Sequence, residues 1–595
     1  MPFKSFILVC NGTCCAADGA QKLYDAFNKE LEQRNLATTV QTVRSGCCGL
    51  CDKGPVVKIL PDDVTYVNVS AADAAEIISG HIVGGKPVER LRLDNCDTTN
   101  MLRFDDFASD RKQFRIVLRN CGVIDPENID EYIARDGYAA LSTVLTKMEP
   151  EDVVNELKIS GLRGRGGAGF PTWQKWEFTR REKNDVKYVV CNADEGDPGA
   201  YMDRSTLEGD PHSVLEAMTI CGHTIGAARG FIYIRAEYPL AIKRLEKALA
   251  QAREYGFLGE DILGSGFSFD IDIRLGAGAF VCGEETALLT SIEGNRGMPK
   301  PRPPFPSVKG LFGRPTVINN VETLANIPVI INRGGDWFSK IGTETSKGTK
   351  VFALTGKIRN TGLIEVPMGT TLRDIVYNIG GGIINGKKFK AVQTGGPSGG
   401  VITADYLDTP IDYTNLQRLG SIMGSGGMIV MDEDDCMVDI TKFYLQFSVD
   451  ESCGKCAPCR IGGRQLLDFM NKIASGKASV DDIDHIRDIA FAMQKASLCG
   501  LGQTTPNPVI STLKYFEDEY MAHIVDKRCP SHKCKALVVY RIVPEKCIGC
   551  GVCARRCPVT AISGEKRSPH LIDQEACIKC GECFKACKFN AITIN

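Results

Sequence analysis

The sequence has no long hydrophobic run and no excess of charge of either sign. No stretch of about eighteen consecutive apolar residues occurs, which excludes an ordinary membrane-spanning helix. Lysine and arginine total 71, while aspartate and glutamate total 73. Neither nucleic acid nor an anionic membrane would therefore be attracted strongly. The short apolar stretch 6–9 lacks the length and cleavage pattern of a signal peptide.

Cysteine, by contrast, is abundant. Twenty-six cysteines occur, most of them in closely spaced groups. Without an export signal, this usage favours metal ligands in a reducing compartment over a disulfide framework. The 595 residues, of which 43% are hydrophobic, are enough for about four domains by the usual size prior. The sequence thus predicts a multidomain, cytoplasmic protein with several metal sites.

The C-terminal segment repeats one cysteine motif. Thiolates separated by two residues bind iron, and this doubled run is typical of two [4Fe-4S] clusters. In such a run the fourth cysteine of each motif binds the neighbouring cluster. The predicted ligand sets are Cys547, Cys550, Cys553 and Cys587 for one cluster, and Cys577, Cys580, Cys583 and Cys557 for the other. Two zinc knuckles are the alternative.

The N-terminal segment 1–85 alternates apolar strands with an amphipathic helix and predicts a small α/β domain. Cysteines lie in its first loop and in the turn before a later strand, so two loops can converge on one metal centre. This arrangement resembles the thioredoxin-like [2Fe-2S] ferredoxins. The resemblance implies four ligands, Cys10, Cys15, Cys47 and Cys51, with Cys14 and Cys48 adjacent to them. A redox disulfide is the alternative.

A glycine-rich segment, residues 161–176, carries the spacing G-x-G-x-x-G at Gly164, Gly166 and Gly169. It follows a helical pattern rather than a strand, so the ordinary dinucleotide fingerprint lacks its structural context. Dense glycine nevertheless lets backbone amides approach a phosphate or an aromatic ring, and Arg163 supplies positive charge nearby. The segment favours nucleotide binding, with a flexible surface loop as the alternative.

Two later segments place acidic and amide side chains at the ends of regular elements. The apolar strand 188–191 leads into a polar rim, at the strand end where α/β folds bind ligands. Gly283, Glu284 and Glu285 stand at the start of a helix, where carboxylates alternatively favour the helix dipole. These segments indicate a parallel sheet with a ligand site at one edge.

Together these motifs resemble the NADH-binding flavoprotein subunit of respiratory complex I and its relatives in NAD-linked hydrogenases and formate dehydrogenases, over roughly residues 130–525. The added domains at both ends resemble the beta subunit of electron-bifurcating [FeFe]-hydrogenases. The resemblance implies a multidomain α/β and α+β fold. Its predicted parts are a thioredoxin-like [2Fe-2S] domain (1–85), a linker (86–130), a Rossmann-like FMN- and NAD(P)H-binding core (131–335), a ubiquitin-like, SLBB-type domain (336–420), a helical bundle with a [4Fe-4S] cluster (421–525), a linker (526–540) and a two-cluster ferredoxin domain (541–595).

The resemblance also implies the residues that bind the cofactors. Those expected to contact FMN are Gly164, Gly166, Lys175, Asn192, Asp194 and Glu195, with Asn319 and Asn320 on its phosphate side. Lys175 is expected to face the nicotinamide as well, and Arg165 is expected to bind a cofactor, without assignment to one of the two. Those expected around the nicotinamide cofactor are Phe170 and Phe178, which would sandwich it, and Gly283, Glu284 and Glu285 beside it. Asp197 stands where complex I subunits often have glutamate, which leaves the preference for NADH or NADPH open. No acid-base residue is implied, because FMN is the reactive centre.

Two further metal sites are expected between the flavin core and the C-terminal domain. Cys453, Cys456, Cys459 and Cys499 are implied ligands of a third [4Fe-4S] cluster, with structural zinc as the alternative. Cys529 and Cys534, joined by His532 and His570, are expected to form a structural zinc site, with two unligated surface thiols as the alternative. The remaining cysteines are predicted to be small buried residues, among them Cys96, Cys121, Cys191, Cys221, Cys282 and Cys436.

A hydride carries two electrons, whereas an iron-sulfur cluster accepts one, so a flavin is expected between them. The predicted cofactors are FMN, NAD(H) or NADP(H), one [2Fe-2S] and three [4Fe-4S] clusters. The predicted function is the NAD(P)H-oxidoreducing subunit of a bifurcating hydrogenase that couples NAD(H) and ferredoxin to hydrogen chemistry on a separate catalytic subunit, with a small [2Fe-2S] subunit as a further partner. One alternative is a diaphorase subunit of an NAD-linked formate dehydrogenase or another bifurcating reductase. An alternative of another class is a polyferredoxin scaffold that relays electrons without binding nicotinamide.

Overall fold

The structure is a computed structural model that describes residues 3–93 and 113–594. The chain forms two compact units, residues 1–430 and 431–595. Cys96, predicted to be a buried residue, lies outside the described residues. Within the described ranges, no helix combines the length and the hydropathy that a membrane span requires.

The first unit begins with a four-stranded sheet of order β2-β1-β3-β4. The elements are β1 (Ser5–Cys10), α1 (Thr13–Ala17), α2 (Ala20–Gln33), β2 (Val40–Ser45), β3 (Val57–Leu60), β4 (Val64–Tyr66) and α3 (Ala74–Ile77). Leu23, Phe27 and Leu31 recur at helical spacing and bury one face of α2 in the core of this domain. The domain extends past the predicted limit at residue 85, because Leu93 N donates to Thr65 O at 2.9 Å.

Residues 113–130 belong to the core of the first unit, although the sequence predicts a linker over 86–130. Ile116 and Val117 are fully buried. The backbone N–H groups of residues 116–118 donate to the buried carboxylate of Glu365 at 2.9 to 3.0 Å. Because a buried carboxylate needs such donors, this segment is fixed in place.

The centre of the first unit is a parallel sheet with helices on both faces. Its elements are α4 (Ile129–Ile133), α5 (Ala139–Lys147), α6 (Pro150–Ser160), α7 (Thr172–Arg181), β5 (Tyr188–Ala193), α8 (Met202–Gly209), α9 (Pro211–Ile225), β6 (Arg229–Arg235), α10 (Pro239–Glu254), β7 (Asp270–Gly276), α11 (Glu285–Ile292), α12 (Pro306–Lys309), β8 (Thr316–Asn320), α13 (Val321–Arg333) and α14 (Gly335–Ser339). The strand order is β7-β6-β5-β8. The chain therefore leaves β5 on one side for β6 and β7, then returns to its other side at β8. This reversal creates a switch point between β5 and β8, where open α/β sheets bind ligands.

A mixed five-stranded sheet completes the first unit. Its elements are β9 (Thr349–Gly356), β10 (Gly362–Pro367), β11 (Phe389–Thr394), β12 (Val401–Thr403), α15 (Tyr413–Arg418) and β13 (Gly427–Asp432). The order is β10-β9-β13-β11-β12, and β13 runs parallel to β9. Since β13 belongs to this sheet, the domain continues past the predicted limit at residue 420.

The second unit consists of helices followed by a small domain with two short ribbons. The helices are α16 (Met437–Asp450), α17 (Gly463–Ala474), α18 (Asp482–Ala496), α19 (Gly500–Thr504), α20 (Asn507–Tyr515) and α21 (Glu517–Ile524). The C-terminal elements are β14 (Tyr540–Ile542), α22 (Val552–Arg556), β15 (Ile562–Ser563), β16 (Leu571–Ile572), α23 (Glu582–Ala586) and β17 (Ile592–Ile594). β14 pairs with β17 and β15 with β16, both antiparallel. The β14–β17 ribbon therefore joins the two ends of the doubled cysteine motif, and the β15–β16 ribbon lies between its two copies.

Candidate cofactor and metal sites

Two asparagines stand at the switch point of the parallel sheet. Asn192 near the end of β5 and Asn320 at the end of β8 are partners in the strand register. Asn192 Nδ2 donates to Gly283 O at 2.9 Å, and Asn320 Nδ2 donates to Asp203 Oδ2 at 2.5 Å. Asn319 is positioned differently, since its Oδ1 accepts from Trp176 Nε1 at 2.9 Å. The carboxyl ends of both strands thus present amide groups to one crevice.

The glycine-rich loop crosses this crevice. A Cβ atom on Gly166 would lie 3.2 Å from Asn320 Cβ, so a side chain there would press on the strand end. Gly164 N donates to Phe170 O at 2.8 Å, and Tyr413 Oη donates to Gly164 O at 2.8 Å. The segment is therefore a turn fixed by hydrogen bonds. It is not the flexible surface loop that was the alternative interpretation.

The Arg165 side chain does not enter the crevice as expected for a cofactor ligand. Its guanidinium is fully buried and donates to three backbone carbonyls, those of Arg163, Lys347 and Thr349, at 2.6 to 3.1 Å. Its own N–H donates to Thr323 Oγ1 at 2.8 Å. Because these acceptors use the guanidinium's donors, Arg165 positions the loop rather than offering charge to a ligand.

Lys175 and Glu285 meet beside the crevice. Lys175 Nζ lies 3.3 Å from Glu285 Oε2, and Arg302 also pairs with Glu285. Burial alone would raise the pKa of Glu285, but the two cations hold that pKa below its ordinary value. Phe170 and Phe178 are 42% and 49% exposed. Exposed aromatic rings next to a charged crevice are suited to stacking on a planar ligand.

Glu284 caps a helix. Its carboxylate accepts from Thr286 N at 3.0 Å and from Ala287 N at 2.9 Å, at the N-terminus of α11. Glu284 therefore caps the helix N-terminus, which is the alternative that the sequence analysis allowed for this carboxylate. Gly283 faces the switch point instead, because a Cβ atom there would lie 3.3 Å from Asp194 O.

Buried carboxylates line the segment that follows β5. Glu195 accepts from the N–H groups of Asp203 and Arg204, both at 3.1 Å, and burial raises its pKa to about 7. Asp197 Oδ2 accepts from Ser425 Oγ at 2.7 Å, and burial raises the pKa of Asp197 to about 6. Asp203 was not among the predicted site residues. The only sequence signal for it was that it is an acidic residue close to Asp197 in the chain. Ser425 lies 228 residues from Asp197 along the chain, so no local pattern pointed to it.

The residues present fit a bound flavin nucleotide. The crevice has amide groups at two strand ends, a glycine loop that leaves room for a ring or a phosphate, and one lysine. Asp203 Oδ1 is buried and makes no hydrogen bond to any described residue. A buried polar atom of this kind calls for a partner outside the protein chain. The crevice therefore has polar groups of the kind that FMN requires.

Six cysteines of the N-terminal domain line one pocket. They are Cys10, Cys14, Cys15, Cys47, Cys48 and Cys51. Cys47 Sγ and Cys51 Sγ lie 3.7 Å apart. Hydrogen bonds from Cys15, Cys47 and Cys48 lower the pKa of Cys10 despite its burial. All four predicted ligands thus converge, the donor set fits a [2Fe-2S] cluster, and each of the six is a free thiol.

This six-cysteine pocket is fastened to the flavin core through α8. Thr13 donates from its N–H at 3.0 Å and from its hydroxyl at 2.5 Å to the carboxylate of Glu208. At the other end of α8, the Arg204 guanidinium lies 5.4 Å from the Tyr201 ring and 5.6 Å from the Tyr238 ring. Tyr238 Oη donates to Glu195 O at 2.7 Å. A continuous set of contacts therefore links the pocket to the crevice.

The helical bundle brings a distant cysteine to a local group of three. Cys459 and Cys499 are buried, and Ser452 Oγ lies 3.3 Å from Cys459 Sγ. Cys499 directly precedes α19. A Cβ atom on Gly502 in α19 would lie 2.9 Å from Cys459 Cβ, so this helix approaches the C-x-x-C-x-x-C segment closely. The donor set of Cys453, Cys456, Cys459 and Cys499 fits a [4Fe-4S] cluster.

In the C-terminal domain, one cavity contains cysteines of both motifs. Cys557 of the first motif lines it together with Cys577, Cys580 and Cys583 of the second. This is the grouping expected when the fourth cysteine crosses to the neighbouring cluster. Cys550 and Cys580 are exposed, while Cys553 and Cys583 are buried. The donor sets fit two clusters close to the surface.

A fourth group of ligands corrects the prediction for residues 526–540. Cys529 and Cys534 meet Cys436 and His523, and all four ligand atoms lie within 4.8 Å of one another. His532 is exposed, and His570 Nδ1 lies 3.1 Å from Ser568 O in the C-terminal domain. Cys436, predicted to be a core residue, is buried but joins this group. The spacing held no signal, because Cys436 lies 98 residues before Cys534.

Comparison with known families gives five matches along the chain. The matching models are the thioredoxin-like [2Fe-2S] ferredoxin (residues 3–81), the Nuo51 FMN-binding domain (157–329), the SLBB domain (351–402), the NADH-ubiquinone oxidoreductase-F iron-sulfur binding region (439–523) and the 4Fe-4S dicluster domain (539–588). These matches confirm the predicted fold class.

Similar proteins match most of the chain. The NADP-reducing hydrogenase subunit HndC of Solidesulfovibrio fructosivorans is 61% identical over 463 residues, which cover 78% of this chain and 94% of HndC. An NADH-quinone oxidoreductase F-type subunit of Rhizobium meliloti is 44% identical, with 70% of this chain and 99% of that protein covered. A solved NAD+-reducing [NiFe]-hydrogenase in the H2-reduced state has a TM-score of 0.62 and 29% identity, covering 88% of this chain and 85% of that one.

The fold, the crevice and the cysteine sites define an NAD(P)H oxidoreductase subunit that uses FMN and iron-sulfur clusters. The chain belongs to the family of NADH-binding flavoprotein subunits that includes HndC and the F-type subunits of the NADH-quinone oxidoreductases. The predicted enzyme class and the predicted FMN, NAD(P)H, [2Fe-2S] and [4Fe-4S] cofactors are confirmed.

Proposed function

We propose that the chain is the NAD(P)H-oxidising subunit of a cytoplasmic, electron-bifurcating hydrogenase. In this assignment it exchanges electrons with NAD(P)H, with ferredoxin and with a companion subunit that carries out hydrogen chemistry. A small [2Fe-2S] subunit is a further proposed partner. The thiol-rich sites favour a reducing compartment, which supports the cytoplasmic location.

The observation that carries this proposal is the number of cluster sites in a chain with one flavin crevice. The sixteen predicted ligand cysteines are assigned to one site in the first unit and three in the second, and two cavities lined by cysteines support this assignment. A simple NADH dehydrogenase needs only one exit for electrons, whereas coupling two acceptors needs separate routes. HndC, 61% identical to this chain, is a subunit of an NADP-reducing hydrogenase, which supports a hydrogenase partner.

The bound flavin supplies the conversion between a hydride and single electrons. The protein side chains prepare its surroundings. Phe170 and Phe178 offer aromatic faces for stacking a nicotinamide, and Lys175 and Glu285 hold opposite charges beside it. Asn192 and Asn320 orient the groups at the strand ends. No general acid is needed for hydride transfer, so these roles are positional and electrostatic.

Purification from the native cell under anoxic conditions tests the assignment. We expect companion subunits to co-purify, NADH to bleach the visible spectrum, and hydrogen oxidation to require NAD(P) and ferredoxin together. A formate dehydrogenase as the co-purifying enzyme would favour the diaphorase alternative. An iron-replete protein that releases no FMN on heating would instead establish the relay scaffold.

The preference between NADH and NADPH is assigned to the surroundings of Asp197. Its carboxylate is held by Ser425 and faces Gly396, where a Cβ atom would lie 2.9 Å from Asp197 Cγ. Aspartate is shorter than the glutamate common at this position in complex I subunits, which leaves room for a ribose phosphate. We therefore propose that the chain accepts both nucleotides, and parallel titrations with NADH and NADPH test this directly.

We also propose a structural zinc site at Cys436, His523, Cys529 and Cys534. His523 Nε2 lies 3.5 Å from Cys436 Sγ, while its Nδ1 lies 2.6 Å from Glu519 O. A second ring nitrogen fixed by a carbonyl is typical of zinc-bound histidine. Three thiolates and one imidazole suit tetrahedral zinc.

Metal analysis of matched variants tests the zinc site. We expect one zinc per chain in the wild type and in His532→Ala, and loss of zinc without loss of iron in His523→Ala. His532 is the control because it is an exposed histidine that lies between the ligands Cys529 and Cys534 in the sequence. Iron without zinc in the intact wild type would remove the proposal.

A further inference from the structure

The two ends of the C-terminal domain differ in charge. Exposed basic side chains surround the first cysteine motif: Lys546, Arg555, Arg556, Lys566 and Arg567, against two acidic ones, Glu545 and Glu565. Around the second motif, Asp573, Glu575 and Glu582 offset most of the positive charge of Lys579, Lys585, Lys588 and, on the adjacent β14, Arg541. Lys585 pairs with Glu582 at 3.2 Å. In the described part of the chain, none of the five basic residues of the first end has an ion-pair partner.

The basic groups approach the first ligand loop from two sides. Arg567 N donates to Gly549 O at 3.1 Å, and a Cβ atom on Gly549 would lie 2.4 Å from Ser568 N. The basic loop 564–569 is therefore pressed against the turn that precedes Cys550. From α22, Arg555 Nη1 reaches within 3.3 Å of where a Cβ atom on Gly551 would stand. Both glycines next to Cys550 are thus bordered by segments that carry arginine.

The centre of this surface is apolar and includes a predicted cluster ligand. Ile548 is 55% exposed, and Cys550 is exposed beside it. An apolar centre with a charged rim is the usual anatomy of a protein interface. Since an electron must tunnel between redox centres, a partner gains most by docking where a ligand thiolate reaches the surface.

We propose that Ile548, Cys550 and the five basic residues form a docking surface for a small acidic one-electron carrier protein of the ferredoxin type. The inference rests on the proposed function and specifies where its ferredoxin binds. One electron passes between the docked carrier and this end of the chain, so one partner is oxidised as the other is reduced, and no bond or proton changes. Opposite charge steers such encounters and accelerates association at low salt. The exposed cysteine and isoleucine favour a redox protein over a nucleic acid.

The test uses the complete anoxic complex, a purified acidic bacterial ferredoxin, and a charge reversal with a matched control. Arg555→Glu/Arg567→Glu reverses the first end, and Lys585→Glu/Lys588→Glu makes the same charge change at the second. Stopped-flow mixing with reduced ferredoxin gives the transfer rate, and equilibrium binding gives Kd. For the first variant at low ionic strength, we expect the transfer rate to fall and the Kd to rise, each by roughly tenfold or more. Both changes should be smaller at high salt. The control should stay within about twofold of the wild type.

Equal effects of the two variants, or a wild-type rate independent of salt, would overturn the docking surface. A single-stranded oligonucleotide that binds the wild type as tightly as ferredoxin would also overturn it. Bleaching by NADH separates the two levels of inference. If NADH bleaches every variant but the charge reversal has no specific effect, only the docking surface fails. If NADH does not bleach the wild type, the proposed function fails as well.

Discussion

The charged groups beneath the cofactor crevice of the first unit are buried, whereas the cysteine motifs that end the second unit are open to solvent. In the first unit, Glu195, Glu322 and Lys350 are buried beneath the crevice or beside it. In the C-terminal domain, Cys550, Cys580 and most charged side chains are exposed. The difference separates two tasks of an electron-transfer subunit. Hydride exchange needs a fixed site with little water, and delivery of single electrons needs redox centres near a surface.

The largest expected effect is on the free energy of unfolding, when a paired lysine is replaced in each of the two regions. Lys350 and Glu322 form an ion pair with exposures of 0% and 1%, whereas Lys585 and Glu582 are 73% and 47% exposed. Lys350→Met should lower the free energy of unfolding by about 3–5 kcal/mol, because Glu322 would remain buried and unpaired. Lys585→Met should change it by less than about 1 kcal/mol. Urea unfolding measures both, and equal losses would contradict the contrast.

A pH effect of similar size is expected from Glu195. Its folded-state pKa of about 7 lies above the ordinary 4.5. The folded state therefore binds the proton more tightly, so its advantage is full below 4.5 and disappears as the pH rises through 7. Between pH 5 and 8 the wild type should lose about 2.5 kcal/mol more stability than Glu195→Gln. Identical pH slopes for the two proteins would show that Glu195 is not the buried acid responsible.

A smaller loss of stability should follow when a methyl group is added where the N-terminal domain contacts α8. A Cβ atom on Gly46 would lie 2.4 Å from Gly209 Cα, whereas on Gly80 the nearest atom would be at 3.6 Å. Gly46→Ala should cost about 1–3 kcal/mol and make the N-terminal domain easier to cleave by proteases. Gly80→Ala is the control, for which we expect no loss. Equal protease resistance of both variants would argue against tight docking of this domain.

The smallest expected effect concerns Glu285. Glu285→Gln removes the charge that Lys175 and Arg302 share, so the affinity for NADH or NADPH should change by up to about tenfold, or 1.4 kcal/mol. Glu151→Gln is the control, because Glu151 pairs with Arg180 at an exposed position. Unchanged kinetics with both nucleotides in Glu285→Gln would reject the role of this carboxylate.

Sites built from repeated or closely spaced residues could be predicted from the amino-acid sequence alone. The cysteine motifs predicted the cluster sites, since thiolates two residues apart reach one metal through local backbone turns. The glycine-rich loop and the polar end of β5 likewise indicated a nucleotide site, because strand ends and glycine turns are local properties.

Folding in three dimensions selects the distant side chains that complete these sites. Cys436 and His523 join Cys529 and Cys534 through helix packing, and no spacing along the chain encodes that contact. Ser425 reaches Asp197, and Glu365 fixes residues 116–118, for the same reason. The buried guanidinium of Arg165 shows the converse case, since its residue type suggested a ligand until packing supplied three carbonyl acceptors. Whether such a side chain binds a ligand or holds the fold together depends on its burial and its long-range hydrogen bonds. Both exist only once the chain has folded.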